Sequence, residues 1–146
     1  MIGGRDGTMD RRKLQSQTVS KTLEDRFGPE LGQHKFVVLG DLNDYMPSPG
    51  LEPLVGLPWL EDVVRERMDP QDAWTHYYSR GHDYRQLDYI LLSQALAQAN
   101  PNAEPVVERR GLPLRAARAG SDRFAGVGRN EPKASDHCPV AIDIEV

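Results

Sequence analysis

The chain has 146 residues, enough for one domain with one hydrophobic core. Its 18 basic and 22 acidic side chains leave a net charge of −4, which excludes a general pull toward nucleic acid or anionic lipid. A single cysteine, Cys138, excludes a disulfide framework and a multi-cysteine zinc site. No apolar run approaches the ~20 residues that cross a bilayer, and the opening residues lack the apolar centre of a signal peptide. A cytoplasmic setting is the expectation.

Residues 1–9 are glycine-rich and polar and read as a flexible N-terminus ahead of one domain over 10–146. Asp10 to Phe27 reads as a helix capped by Asp10. Leu14, Val19, Leu23 and Phe27 lie near its apolar face, and Gln15, Ser16, Lys21 and Glu24 near its wet face. Gly28 suits its C-terminal cap, and Pro29 cannot continue it. Phe36 to Leu39 is a short apolar run rich in β-branched residues, the pattern of a strand buried on both faces. Pro47, Pro49 and Gly50 stiffen the loop that follows, and short elements are expected at Leu51 to Val55 and Leu60 to Val64.

"AWTHYYS" and "RQLDYILLS" have strand composition, "QALAQA" is a short helix, and Glu104 to Glu108 a further strand. From His137 to Val146 the sequence alternates. Val140, Ile142, Ile144 and Val146 stand against Ala141, Asp143 and Glu145, the pattern of a strand with one wet face. Between these last strands, Arg109 to Ala134 is a long connection with little periodicity. Residues 106–133 carry seven basic and three acidic side chains, so this +4 stretch is either a solvated loop or a face for phosphate. The order of elements gives a mixed α/β layer with a helix packed on a sheet.

Three polar clusters each lie in or beside an apolar, strand-like run: Asp41 with Asn43, Asp88, and Asp136 with His137. One acid in a strand is usually a turn or edge residue, but neighbouring strands could bring three clusters to one rim. Carboxylates and an amide oxygen are hard ligands suited to magnesium, calcium or manganese. A histidine beside a carboxylate can move a proton or donate to an anion. Together these are parts for metal-assisted hydrolysis of a phosphate ester. Calcium-loop, phosphate-loop, GxSxG and HExxH spacings are absent. Cys138 follows His137 directly and would point to the opposite face, so it reads as packing. His76 and His82 read as packed or surface residues. Trp74, Tyr77 and Tyr78 could stack on a base, although core packing is the commoner role.

"VVLGDLND", "WTHYY", "RQLDYILLS" and "ASDHCPVAIDIEV" resemble, in order, the C-terminal motifs of the endonuclease/exonuclease/phosphatase superfamily. That superfamily includes deoxyribonuclease I-like and exonuclease III-like enzymes. The resemblance covers about Asp10 to Val146 and implies an α/β fold. The chain would form the C-terminal half of a four-layer α/β/β/α sandwich, with a mostly antiparallel mixed sheet and a flanking helix. It implies that Asp41 orients or deprotonates water and that Asn43 hydrogen-bonds the phosphate or the surroundings of that aspartate. Asp88 would fix the ring of His137, and Asp136 would sit at or near the metal. His137 would contact the scissile phosphate, with Thr75 a hydroxyl beside the rim. The cofactor would be Mg2+, with Mn2+ as the alternative, and the substrate a phosphate ester, nucleic acid among the candidates. Members of the superfamily are longer, and their N-terminal half supplies a metal-binding glutamate with no counterpart here. Two expectations follow: weak or absent turnover by this chain alone, and an exposed apolar sheet face that pairs with a second copy or a partner. A non-catalytic half-domain that acts as an interaction module is the alternative.

Overall fold

A computed structural model describes residues 4–146 and is a mixed α/β structure built on small antiparallel sheets. Helix α1 runs Gly4–Phe27 and starts six residues earlier than the sequence pattern predicts, so Asp10 lies inside it rather than at its cap. Its C-terminal end is as expected. Gly28 takes φ +68, the left-handed conformation that closes a helix, and a 3-10 turn over Gly28–Gln33 follows.

The face of α1 is a correction. Leu14 is 64% exposed and Val19 is also exposed, while Ser16 and Ser20 are buried. Ser16 Oγ donates to the Gly50 carbonyl at 2.7 Å, and Ser20 Oγ donates to the Pro53 carbonyl. The helix therefore docks through small hydroxyls that let it approach the 48–54 segment closely. Leu23 joins the apolar packing further along. Hydrophobic periodicity misses a face whose contacts are hydrogen bonds to backbone.

A three-stranded sheet in the order β1, β5, β2 organises the site. Strand β1 is Val37–Asp41, β2 is Leu60–Asp62 and β5 is Asp88–Ser93, all antiparallel. Register pairs Val37 with Leu92, Leu39 with Ile90, and Asp41 with Asp88. Short helices α2 (Glu52–Val55), α3 (Val63–Arg67) and α4 (Gln94–Ala99) flank it. Two-stranded ribbons pair β3 (His76–Tyr78) with β4 (Asp83–Arg85), and β6 (Val106–Val107) with β7 (Val140–Ala141).

Residues Tyr89 to Leu92 of β5 are all buried, because alternate side chains enter different clusters. Tyr89 and Leu91 pack with Leu51, Leu54 and Leu60 on the α2 side. Ile90 and Leu92 pack with Val63, Val64, Leu96 and Ala97, to which Val140, Ile142 and Ile144 add their side chains. Each fully buried aliphatic residue contributes about 1.5–3 kcal/mol.

The C-terminal alternation is visible in burial: Val140, Ile142 and Ile144 are half-buried, while Ala141, Asp143 and Glu145 are exposed. Strand pairing covers only Val140–Ala141, however. Beyond it the buried Asn100 stands in for a partner strand. Its Nδ2 donates to the Glu145 carbonyl, and its Oδ1 accepts from the Glu145 N–H. Two expectations fail here. β1 is an edge strand rather than one buried on both faces, and Leu39 is 69% exposed. The C-terminal segment packs on the sheet face expected to be bare, so its exposed apolar part is concentrated at Leu39.

Candidate active site

The site forms where β1 ends and β5 begins. Gly40 takes φ +149, which disfavours any residue with a Cβ, and Asp41 follows as the last residue of β1. Register sets it directly opposite Asp88. Two carboxylates facing each other across strands are destabilising unless something cationic lies between them. Asn43 has φ +54, a conformation asparagine tolerates, and its N–H donates to Asp41 Oδ1 at 2.8 Å. The Asn43 side chain makes no hydrogen bond among the described residues and stays exposed.

The other half of the rim comes from β3. His76 pairs as an isolated antiparallel bridge with His137. Tyr77 N–H donates to the Asp136 carbonyl at 2.9 Å, and Cys138 N–H to the Thr75 carbonyl at 2.6 Å. This short pairing delivers His137 to Asp88: Nδ1 lies 3.0 Å from Oδ2 and 3.2 Å from Oδ1. An ionised carboxylate only accepts, so Nδ1 carries the proton and Nε2 is left for chemistry. Thr75 is completely buried and donates from Oγ1 to Asp88 Oδ2 at 2.7 Å, while the same oxygen accepts from the Leu87 and Asp88 N–H groups. Thr75, Asp88 and His137 thus form one hydrogen-bonded chain.

Asp41, Asp88 and His137 offer three ligand atoms within 4.8 Å of one another, and so do His76, Asp136 and His137. The expected residues therefore gather, apart from the free side chain of Asn43. Asp136 is exposed, 4.0 Å from His76 Nε2 and 3.9 Å from Lys133 Nζ. His76 was missed as a site residue. Its ring centroid is 4.7 Å from that of His137. Burial lowers its pKa, helped by His137 and opposed by Asp136, Asp88 and Asp41. The only sequence signal for it was its place in a strand-like run. The pairing with His137, 61 residues away, is tertiary.

Comparison with protein-family models found no match, and comparisons with curated proteins and with solved structures found none either.

Most of the basic stretch is engaged by partners within the chain, although Arg110, Arg115, Arg118 and Arg129 are exposed. The Arg123 guanidinium donates to the carbonyls of Leu112, Ala116, Ala119, Gly120 and Asp122. Arg109 covers the Trp74 ring and donates to the Asp72 and Trp74 carbonyls. Arg110 pairs with Glu108, and Arg118 reaches the Gln71 carbonyl. Of the aromatic trio, Trp74 and Tyr77 are core residues and only Tyr78 is exposed. His82 is held between Tyr77 Oη and Arg115 Nη2.

Proposed function

We propose that this chain carries the catalytic rim of a metal-dependent phosphoester hydrolase of the endonuclease/exonuclease/phosphatase type, with its α/β layer as the C-terminal half of that sandwich. The observation that carries the reading is the chain of bonds from Thr75 through Asp88 to His137, set opposite Asp41 at the sheet's edge. Asp88 fixes the His137 ring through Nδ1 and leaves Nε2 to the substrate. With a proton on Nε2, the ring donates to a phosphoryl oxygen and offsets the charge that develops there. Asp41 is exposed and bonded on one oxygen to the Asn43 N–H, which leaves the other to orient or deprotonate water. The free amide of Asn43 is available to a phosphate oxygen.

The donors fit a hard divalent cation such as Mg2+ or Mn2+, which takes one or two carboxylates and completes its shell with water. Asp41 and Asp88 would hold it, with Asp136 adding charge nearby. Such an ion supplies Lewis-acid polarisation of a phosphate ester. Neither ligand group contains a glutamate, so slow turnover is expected.

The test is hydrolysis of bis-p-nitrophenyl phosphate and nicking of plasmid DNA, with and without Mg2+ or Mn2+. Slow, metal-dependent hydrolysis lost by about 10²-fold or more in Asp41→Ala and in His137→Ala supports the assignment. Rates that neither substitution changes refute it.

A second reading, a pairing module, has one observation in its favour: the free edge of β1 with Leu39 exposed beside it. It requires concentration-dependent association in sedimentation velocity that Leu39→Lys removes. A monomer at all concentrations rules it out.

A further inference from the structure

We propose that His76, Asp136 and His137 form a binding site for a zinc-class divalent cation, separate in its ligands from the Asp41–Asp88 pair. The donor set carries the inference. Two imidazoles and one carboxylate are the ligands of borderline cations such as Zn2+ and Co2+, whereas Mg2+ and Ca2+ select oxygen. One ligand atom from each of the three residues lies within 4.8 Å of the other two. Bonds of ~2.1 Å in a tetrahedral shell place ligand atoms roughly 3.4 Å apart, so about an ångström of side-chain rotation closes the set. The backbone already holds the two histidines on one face, since they oppose each other across the antiparallel bridge.

A second feature points to a cation independently of that spacing. His137 donates Nδ1–H to Asp88, and Asp88 is fixed in turn by the buried Thr75 hydroxyl. A carboxylate behind a histidine, which sets the tautomer and frees the far nitrogen, is the support that metal-bound histidines almost always have. The His76 ring makes no hydrogen bond to a carboxylate or carbonyl among the described residues, and its Nε2 lies 4.0 Å from Asp136. Asp136 is also 3.9 Å from Lys133 Nζ, and the cation displaces that ammonium. Three protein ligands leave a fourth position open to water. The same ion occupies His137 Nε2, the nitrogen assigned above to the phosphate, so zinc inhibits hydrolysis by competing for it.

The test is Co2+ titration of the full chain without an affinity tag, read by visible absorption, with Zn2+ competition and calorimetry alongside. One equivalent of Co2+ gives an intense four-coordinate spectrum that Zn2+ abolishes. Asp136 is exposed, so Asp136→Asn folds normally and binds Zn2+ at least tenfold more weakly. His76→Ala and His137→Ala lose the spectrum, and Asp88→Asn weakens binding 10–100-fold. Asp41→Ala binds as the parent does, which separates this site from the hydrolytic assignment: a chain without hydrolytic activity that still binds zinc upholds it. Absence of Co2+ binding overturns the proposal. So does binding that survives both Asp136→Asn and His76→Ala.

Discussion

Thr75 is the residue on which the site's geometry turns. Its hydroxyl makes three hydrogen bonds in a fully buried position, one to the Asp88 carboxylate and two from backbone N–H groups. Thr75→Val keeps the shape and removes all three, leaving buried polar groups unsatisfied. Urea titration should show a loss of about 2–3 kcal/mol, whereas Thr75→Ser, which keeps the hydroxyl, should lose about 1 kcal/mol for the missing methyl. Cys138 shows the opposite logic one position from His137. Its side chain packs with Trp74, Tyr77 and Leu112, and burial pushes the thiol pKa up to about 12, outweighing Arg109, which pulls it down. The thiolate is the reactive form. The folded chain should therefore resist an aromatic disulfide reagent at pH 8 and react promptly once unfolded in urea. Prompt reaction of the native chain would contradict the buried placement.

At the scale of elements, the connection over residues 109–134 has no strand pairing and is held by turn-type backbone bonds together with side chain-to-backbone bonds. Arg123 supplies five of them. Arg123→Met should cost about 2–3 kcal/mol and open the connection to chymotrypsin near Phe124, which is already exposed. Arg129→Met, whose side chain makes no such bond among the described residues, should stay within about 0.5 kcal/mol of the parent.

These elements also mark what the residues reveal in isolation. Strand β5 was readable because Tyr89 to Leu92 form an apolar run that the packing buries. The alternation from Val140 to Ile144 was readable for the same reason. The inner face of α1 was not, because Ser16 and Ser20 contribute by donating to carbonyls of another segment. The roles of the arginines were not readable either: a guanidinium that binds backbone and one that waits for phosphate have the same sequence. At the rim, Asp41, Asp88 and His137 were legible as polar breaks beside apolar strands. His76 was not, since its value depends on a pairing partner 61 residues away.

The whole molecule is an acidic chain, and the basic side chains of its 106–133 stretch are mostly tied to partners within the chain, so its net charge gives no general attraction for a polyanion. Both sheet faces are packed apart from the exposed Leu39, and the polar rim sits where the edge strand β1 meets β5. No helix among the described residues is long and apolar enough to cross a membrane. On the proposed reading, what the molecule would offer a substrate is local: Asp41, Asp88 and His137 acting together. Groups that act as one unit lose activity non-additively. The most direct measurement is the rate of Mn2+-dependent bis-p-nitrophenyl phosphate hydrolysis by the parent, Asp88→Asn, His137→Ala and the double variant, each verified as folded. The expected result is slow hydrolysis by the parent, a large loss in each single variant, and a double variant no slower than His137→Ala alone. Losses that multiply in the double variant, or a folded parent with no metal-dependent hydrolysis, would contradict it.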